Sequence, residues 1–333
     1  MTSPWSWRPD NPACARQAVG LIRLEGEDSR RFLHGQTSAA IELACPGQWI
    51  QTCCISPTAR LRSLADVLVD ATGAWLAVTA GDAQQVREAL DRVLFPADRV
   101  QLGPVQPAWL LTAVAGRGET LPASMAGSWE PLPEDQGWQL GSGPLGMALL
   151  LRAADPGPSG RQPGAWSERT PLSSPEQERW RIQLGLPATP GELNEDHNPF
   201  ELGLAARVSL SKGCYVGQET LARLATYDGV KQQLRRWHWS RSAGQAPPLA
   251  GQELGLAPEH GSGGQGPMPE RLGRISSVLE LENGDRIGLA LVRRQALGLT
   301  QLRAGEGPRS ATITLSKPEL FREPPLTGHG QGS

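Results

Sequence analysis

The densest group of potentially reactive side chains in this sequence surrounds one cysteine. Cys214 lies in the run KGCYVGQE, with Lys212 two residues before it and with Gly213 and Gly217 on either side. Glycine reaches backbone angles that are closed to other residues, so this spacing predicts a tight turn that presents the cysteine. A thiol in such a turn is a candidate nucleophile, sulfur carrier or ligand.

A helix is expected directly after this turn. Glu219 and Arg223 are four residues apart, which favours a helix that begins near Gln218. A helix N-terminus and a nearby ammonium group both stabilise a thiolate. The sequence therefore predicts that the pKa of the Cys214 thiol is lowered, with Lys212 as its cation.

Two other interpretations of Cys214 stay open at this point. Free cysteine is often a small buried packing residue with no chemistry of its own. Alternatively, Cys214 is the nucleophile of a thiol enzyme, for which His197 is the candidate base. The residues around His197 are mostly polar or acidic, which is typical of a solvated loop and counts against the thiol enzyme.

Composition limits the classes of function that fit. The chain has 333 residues, which predicts two or three domains, and a net charge of −2, so direct nucleic-acid binding is not expected. No apolar run approaches the roughly 20 residues of a membrane helix, so no membrane partner is expected. Five cysteines, an odd number, and the lack of a recognisable signal peptide indicate a reducing, cytoplasmic compartment. No C-x-x-C motif is present, so no metal site is expected.

Hydropathy patterns predict an α+β fold. Strands are expected at 19–24, 49–55, 64–69, 74–79, 99–102, 109–114 and 147–151. Two helices are predicted between these strands, one capped by Asp28 and the other by Asp82. A third helix is predicted with Ser174 as its cap, Pro175 at its first position and Gln177 closing a capping box.

The chain changes character after residue 230. Strands are expected at 233–240, 272–281, 286–292 and 311–315 without a helix between them, which predicts a small β-barrel. The expected domains are a module at 14–230, with a flexible linker near 153–170, and a barrel domain at 231–323. Residues 255–270 are predicted to be an insertion in the barrel, and 324–333 a disordered tail.

The cysteine motif closely resembles the K-G-C-Y-x-G-Q-E element of the YgfZ family. These are folate-binding proteins related to the T-protein (aminomethyltransferase) of the glycine cleavage system. FLHGQT at 32–37, SPTAR at 56–60, LGRISS at 272–277 and IGLALV at 287–292 resemble further family elements, so the resemblance covers most of the chain. The motif residues that it singles out are Lys212, Gly213, Cys214, Tyr215, Gly217, Gln218, Glu219 and Arg223.

The resemblance implies both a fold and a function. The fold would be two interleaved ferredoxin-like α+β subdomains around a folate cavity, with a C-terminal β-barrel. The function would be a tetrahydrofolate-binding accessory protein, not a conventional enzyme, that supports assembly or repair of iron–sulfur clusters. Its partners would be iron–sulfur assembly factors or client enzymes such as tRNA-modifying methylthiotransferases. Loss of Cys214, with Lys212 beside it, would abolish this role.

The resemblance also implies where folate is held. Arg181 and Gln183 match the R-x-E-x-G stretch that contacts the pterin in T-proteins, with a neutral glutamine in place of the acid. Asp66 is the candidate for the catalytic aspartate of T-proteins, and Glu201 is a further expected contact. The alternative function is therefore a folate-dependent aminomethyl or one-carbon transferase. Because T-proteins lack the cysteine of the motif, Cys214 favours the accessory role.

Overall fold

The structure, a computed structural model, describes residues 3–121, 127–143, 146–152, 166–257 and 271–325. The expected linker at 153–170, the insertion at 255–270 and the tail at 324–333 fall largely outside these ranges.

A single antiparallel sheet organises the first two thirds of the chain. It runs in the order β2-β3-β4-β1-β5-β8-β7-β6, and the short strand β9 pairs in parallel with β1. Its strands are β1 Ala13–Glu25, β2 Trp49–Ile55, β3 Leu61–Val69, β4 Gly73–Ala80, β5 Gln101–Val114, β6 Trp129–Pro131, β7 Gly137–Gly143, β8 Gly146–Arg152 and β9 Thr170–Pro171.

The remaining strands form a closed six-stranded barrel in the order β10-β13-β12-β11-β14-β15. They are β10 Gln232–Trp239, β11 Glu253–Leu256, β12 Gly273–Glu280, β13 Arg286–Arg293, β14 Gln301–Ala304 and β15 Ala311–Ser316. Apolar residues of the sheet part, including Phe200 and Leu221, share a core with Leu234 and Leu289 of the barrel. The two parts therefore pack through a common apolar interior.

The helices in the described ranges are α1 Ser29–Gln36, α2 Ala83–Arg92, α3 Ser174–Leu184 and α4 Gln218–Thr226. Side chains of α1 and α2, such as Leu33 and Leu90, pack on one face of the sheet against Val67 and Leu76. None of these helices is long and apolar enough to cross a membrane.

The helices begin close to the residues that the sequence predicts, but two of the predicted caps differ in the structure. Asp82 caps α2 as expected, since its carboxylate accepts hydrogen bonds from two backbone N–H groups of the first turn. The carboxylate of Asp28 makes no cap hydrogen bond and accepts instead from Arg99. The cap of α3 is Ser173 and not Ser174, because Glu176 closes the capping box with Ser173.

The predicted α+β class with a C-terminal barrel is confirmed, with differences in detail. The two interleaved subdomains that the resemblance implies share one continuous sheet. The runs at 99–102 and 109–114 belong to one long strand, β5, because it pairs along nearly all of β1. The short strands β11 and β14 were not predicted, since four residues carry too little alternation to be recognised.

Candidate functional site: a cavity in the sheet and a cysteine loop

The sheet face opposite α1 and α2 contains a cavity that α3 covers, called here the central cavity. Its open volume, counted together with its mouth and the adjoining solvent, is about 750 Å³. Gln177 and Trp180 of α3 lie on one side, and residues of the sheet line the other. The principal polar wall residues are Arg16, Gln17, Gln51, Asp66, Thr79 and Arg207.

Asp66 is the buried acid of the central cavity. It is 3% exposed and lies directly opposite Gln51 in the pairing of β3 with β2. Burial raises the pKa of the Asp66 carboxyl group, and the positive charge of Arg207 partly opposes this increase. Nη1 of Arg207 lies 3.4 Å from Oδ1 of Asp66. The carboxyl group in this cavity therefore binds a proton more readily than that of an exposed aspartate.

Two further groups on the cavity wall bear on ligand recognition. The indole Nε1 of Trp49 is buried and makes no close hydrogen bond to any described residue, but it interacts with the Asp66 carboxylate and lowers the pKa of that group. Gln177 has both ends of its amide engaged, accepting from N–H of Arg16 at 3.0 Å and donating to its carbonyl at 2.8 Å. This pair of bonds fixes α3 to β1 across the mouth of the cavity.

The two predicted pterin contacts on α3 have different surroundings. Arg181 binds Glu178 and Glu192, with N–O distances of 2.7 and 3.2 Å, and so joins α3 to the following loop. Gln183 does not line the central cavity, but its side-chain Oε1 is buried without a hydrogen-bond partner. It lies three residues after Trp180, so the two share one side of the helix.

Glu201 lies away from the central cavity, in a turn that leads to the barrel. Its carboxylate accepts a hydrogen bond from the backbone N–H of Asn198 at 3.0 Å, and its carbonyl accepts from Leu234 of β10. Burial raises the pKa of Glu201. His197 Nδ1 is 3.9 Å from this carboxylate and 3.2 Å from the amide nitrogen of Gln232. The structure therefore groups Glu201 with His197 and the barrel.

Cys214 is exposed on a loop that the sheet part supports closely. The helix expected near Gln218 is present as α4, and Glu219 and Arg223 form an exposed ion pair at 2.7 Å. Gly217 caps this helix with φ of +80°, and a Cβ there would lie 2.7 Å from the carbonyl oxygen of Ser56. Only glycine fits this position without displacing backbone.

Gly213 differs from Gly217. It is not among the residues with positive φ, and a Cβ built on it would approach nothing closer than His34 Nε2 at 3.9 Å. The expectation of two constrained glycines therefore holds for Gly217 alone. The amide of Gln218 also stabilises the loop, donating to the carbonyl of Lys212 at 3.3 Å.

Lys212 is buried, and its Nζ points at the end of α1. It donates to the carbonyls of His34, Thr37 and Ala39, the last two at 2.6 and 2.7 Å. Burial lowers the pKa of Lys212 to about 7. Three carbonyl acceptors match the three N–H groups of an ammonium, so these contacts favour the protonated form. Lys212 thus anchors the cysteine loop to α1, whereas its expected role as cation for the thiolate stays a prediction.

Tyr215 completes this anchor. Its ring centroid lies 4.3 Å from Lys212 Nζ, a cation–π distance, and burial raises the pKa of its hydroxyl to about 12. The hydroxyl is buried without a hydrogen-bond partner. Three positions of the motif therefore have distinct surroundings: Cys214 faces solvent, while Lys212 and Tyr215 face inward.

Hydrogen bonds connect the cysteine loop to the central cavity. Thr37 and Ala39, which hold Lys212, flank Ser38, whose hydroxyl donates to the carbonyl of Arg207 at 2.6 Å. The side chain of Arg207 in turn reaches Asp66 in the cavity. A ligand that moves Asp66 or Arg207 would therefore act on the segment that holds the cysteine loop.

Cys53 and Cys54 offer poorer candidates for thiol chemistry than Cys214. Burial raises the pKa of Cys53 to about 11 and that of Cys54 to about 12. In the described ranges no group of three or more His, Cys, Asp and Glu side chains lies close enough to hold a metal ion.

Sequence reasoning missed several residues that line the central cavity. Gln51 lies on the same face of β2 as Trp49 and Cys53, because every second residue of a strand shares a face. A polar residue on an otherwise apolar strand face was therefore the available signal. Arg207 follows the turn at 198–204 and carried no such signal, because only the folded chain brings it beside Asp66.

Comparison with known proteins gives two kinds of relative. A putative chloroplastic transferase of Arabidopsis thaliana is 31% identical over 295 residues, covering 84% of this chain and 65% of that protein. The tRNA-modifying protein YgfZ of Aliivibrio fischeri strain MJ11 is 32% identical over 113 residues, covering 33% of this chain and 32% of YgfZ. The matches thus span just under two thirds of the plant protein and about one third of YgfZ. No family model matches the chain.

A solved structure supports the fold. The glycine cleavage system aminomethyltransferase T from Bartonella henselae superposes with a TM-score of 0.70, covering 95% of this chain and 88% of that chain. Sequence identity between the two is 16%, so this likeness concerns the fold alone.

Proposed function

Because this chain belongs to the YgfZ family, which is related to the aminomethyltransferases of the glycine cleavage system, we propose that it is a folate-binding accessory protein that supports iron–sulfur cluster assembly or repair. The proposed cofactor is tetrahydrofolate. The proposed partners are iron–sulfur assembly factors or client enzymes such as tRNA-modifying methylthiotransferases. The proposed compartment is the cytoplasm. The observation that carries the proposal is the combination of a buried acid in the central cavity with an exposed cysteine on an anchored loop.

The central cavity has groups that fit a pterin. A pterin presents hydrogen-bond donors and acceptors along one edge of a flat ring, which suits an apolar cavity with a few fixed polar groups. Asp66 can accept or, when protonated, donate, and the indole N–H of Trp49 lies beside it on the cavity wall. The unpartnered Oε1 of Gln183 can accept if the ligand extends along α3. Bound tetrahydrofolate would supply one-carbon chemistry at its ring nitrogens.

Cys214 is the proposed working group at the surface. Its side chain is exposed, so a partner protein can approach the sulfur directly. The loop is held by Lys212 on α1 and by the close approach of Gly217 to Ser56, which limits the conformational entropy lost when a partner binds. The hydrogen bonds through Ser38 and Arg207 offer a route by which cofactor in the cavity influences this loop.

The alternative is a folate-dependent aminomethyl or one-carbon transferase. One observation favours it: Asp66 occupies the central cavity with a raised pKa, as a group that exchanges a proton with a bound cofactor would. A transferase would turn over a one-carbon donor in the presence of tetrahydrofolate and would not need Cys214. An assay of one-carbon transfer with wild type and Cys214→Ser separates the two functions.

Removal of the cavity acid should weaken folate binding. We expect Asp66→Ala to raise the Kd for tetrahydrofolate by at least about tenfold, since a hydrogen bond to a buried carboxyl group is lost. Asp91→Ala, on the exposed side of α2, is the matched control and should bind as wild type does. Equilibrium titration in a calorimeter gives both constants.

Two outcomes would contradict the folate assignment. In one, the wild-type protein shows no preference for tetrahydrofolate over an unrelated aromatic acid such as benzoate. In the other, Asp66→Ala and Asp91→Ala bind tetrahydrofolate equally well.

A further inference from the structure

A second polar region lies along the seam between the loop at 190–197 and the barrel, and the function above does not use it. It consists of two adjoining hollows with open volumes of about 800 and 1300 Å³. Asp196 and Gln232 line both hollows, so the hollows adjoin at these residues and are together called here the seam cleft. Its wall residues are distinct from those of the central cavity.

The seam cleft carries a local excess of positive charge. Three acidic side chains line it, Asp196, Glu201 and Asp228, against six basic ones: Arg60, Lys231, Arg271, Arg274, Arg293 and Arg294. The whole chain has 32 basic and 34 acidic residues. The excess is therefore a property of this surface and not of the composition.

Much of this positive charge is not neutralised. Asp228 pairs with Arg294, and Glu253 pairs with Arg271 at 3.3 Å. Lys231, Arg274 and Arg293 form no ion pair with any residue that the structure describes. Burial raises the pKa of Glu201, and the positive charges of Arg60 and Lys231 partly oppose this increase.

Neutral hydrogen-bond donors complete the walls. Nδ1 of His197 lies 3.2 Å from the amide nitrogen of Gln232, which is a hydrogen-bond donor. The hydroxyl of Ser276 is buried without a partner at an irregularity in the pairing of β12 with β13. Such irregularities redirect side chains and are common at binding sites.

The wall beside Ser276 is rigid before any ligand arrives. Gly191 approaches β12 so closely that a Cβ on it would lie 2.8 Å from the carbonyl oxygen of Ser276. Behind this contact, the hydroxyl of Ser277 donates to Glu192 at 2.6 Å and accepts from Arg181 at 2.8 Å. This arrangement gives Arg181 a second role, since it stabilises the cleft wall.

We propose that the seam cleft binds a small polyanion whose two charged ends are phosphate or carboxylate groups. Arg271 and Arg274 take one end in the first hollow, and Lys231 and Arg293 take the other end in the second. Gln232 lies where the two hollows meet and His197 lies in the first hollow, and both contact the polar middle of the ligand. None of the described residues that line either hollow is Phe, Tyr or Trp, which disfavours a single-stranded nucleic acid, because such ligands stack their bases on aromatic rings.

The experiment uses inorganic tripolyphosphate as a two-ended probe and inorganic phosphate as a one-ended probe. Calorimetric titration of the full chain should show saturable binding of tripolyphosphate that is at least about tenfold tighter than that of phosphate. Arg274→Gln and Lys231→Gln should each raise the Kd for tripolyphosphate by about tenfold. Arg309→Gln removes an exposed arginine elsewhere on the barrel and should leave the affinity unchanged.

Two results would overturn the proposal. One is a loss of affinity in Arg309→Gln as large as in the two cleft variants, which would indicate unspecific screening of charge. The other is that tripolyphosphate does not bind, whereas a single-stranded oligonucleotide does bind and Arg274→Gln weakens its binding. Tetrahydrofolate affinity, measured in the same variants, should stay at the wild-type value, so failure here is distinguishable from failure of the folate assignment.

Discussion

Replacement of Lys212 with alanine should lower the free energy of unfolding by about 3 kcal/mol, because three buried carbonyl acceptors lose their donor. The cation–π contact with Tyr215 is lost as well. Chemical denaturation monitored by tryptophan fluorescence measures this change. The cysteine loop should also become accessible to proteases in the folded protein, since its anchor to α1 is gone.

Two variants make this result interpretable. Lys317→Ala removes an exposed lysine whose ion pair with Glu323 is half-exposed, so we expect a loss below about 1 kcal/mol. Lys212→Met keeps most of the side-chain volume but donates no hydrogen bond. If Lys212→Met is nearly as stable as wild type, packing and not the carbonyl contacts accounts for the stability that Lys212 contributes, and the anchor account is wrong.

A single methyl group on Gly217 should cost about 2 kcal/mol of folding stability. Alanine at this position must adopt a positive φ, and its Cβ would press on the carbonyl oxygen of Ser56 and on the side chain of Ile55. The matched control is Gly213→Ala in the same loop, where a methyl group meets nothing closer than 3.9 Å.

We expect Gly213→Ala to change the free energy of unfolding by less than about 1 kcal/mol, since it adds a methyl group in open space. Equal losses of stability in the two variants would show that an added methyl group is equally unfavourable at both positions. That outcome would remove the argument that Gly217 fixes the position of Cys214.

The cysteine loop shows how far local sequence reasoning reaches. The start of α4 near Gln218 and the pair of Glu219 with Arg223 depend on neighbours in the chain, and both were predicted correctly. The partners of Lys212 lie about 175 residues earlier, on α1 and the segment after it. No local pattern indicates such a contact, so the sequence alone suggested a nearby thiolate as the partner.

The central cavity depends on the register of the sheet. Asp66 could be named from the sequence, but its neighbours could not, because Gln51 faces it only through the pairing of β2 with β3. A shift of one residue in that pairing would turn Gln51 to the opposite face. Arg207 reaches the same place from a turn after residue 200, which only the tertiary fold determines.

Elements with strong local signals were found, and those without them were missed. Asp82 caps α2 as its side chain and the following apolar period predict. The cap of α3 moved by one residue because Ser173 and Ser174 are adjacent and both can cap, and the glutamate three residues after Ser173 decides between them. This shift leaves Gln177 free to bind β1 at the mouth of the central cavity.

Complementation of cells that lack this protein tests the central claim most directly. The measured quantity is the activity of an iron–sulfur enzyme, such as a tRNA-modifying methylthiotransferase, at equal levels of folded wild type, Cys214→Ser and Cys45→Ser. Cys45 is the matched control, since it is also an exposed free cysteine. We predict that wild type and Cys45→Ser restore the activity and that Cys214→Ser, with unchanged melting temperature and tetrahydrofolate affinity, does not. Full activity with Cys214→Ser would contradict the account.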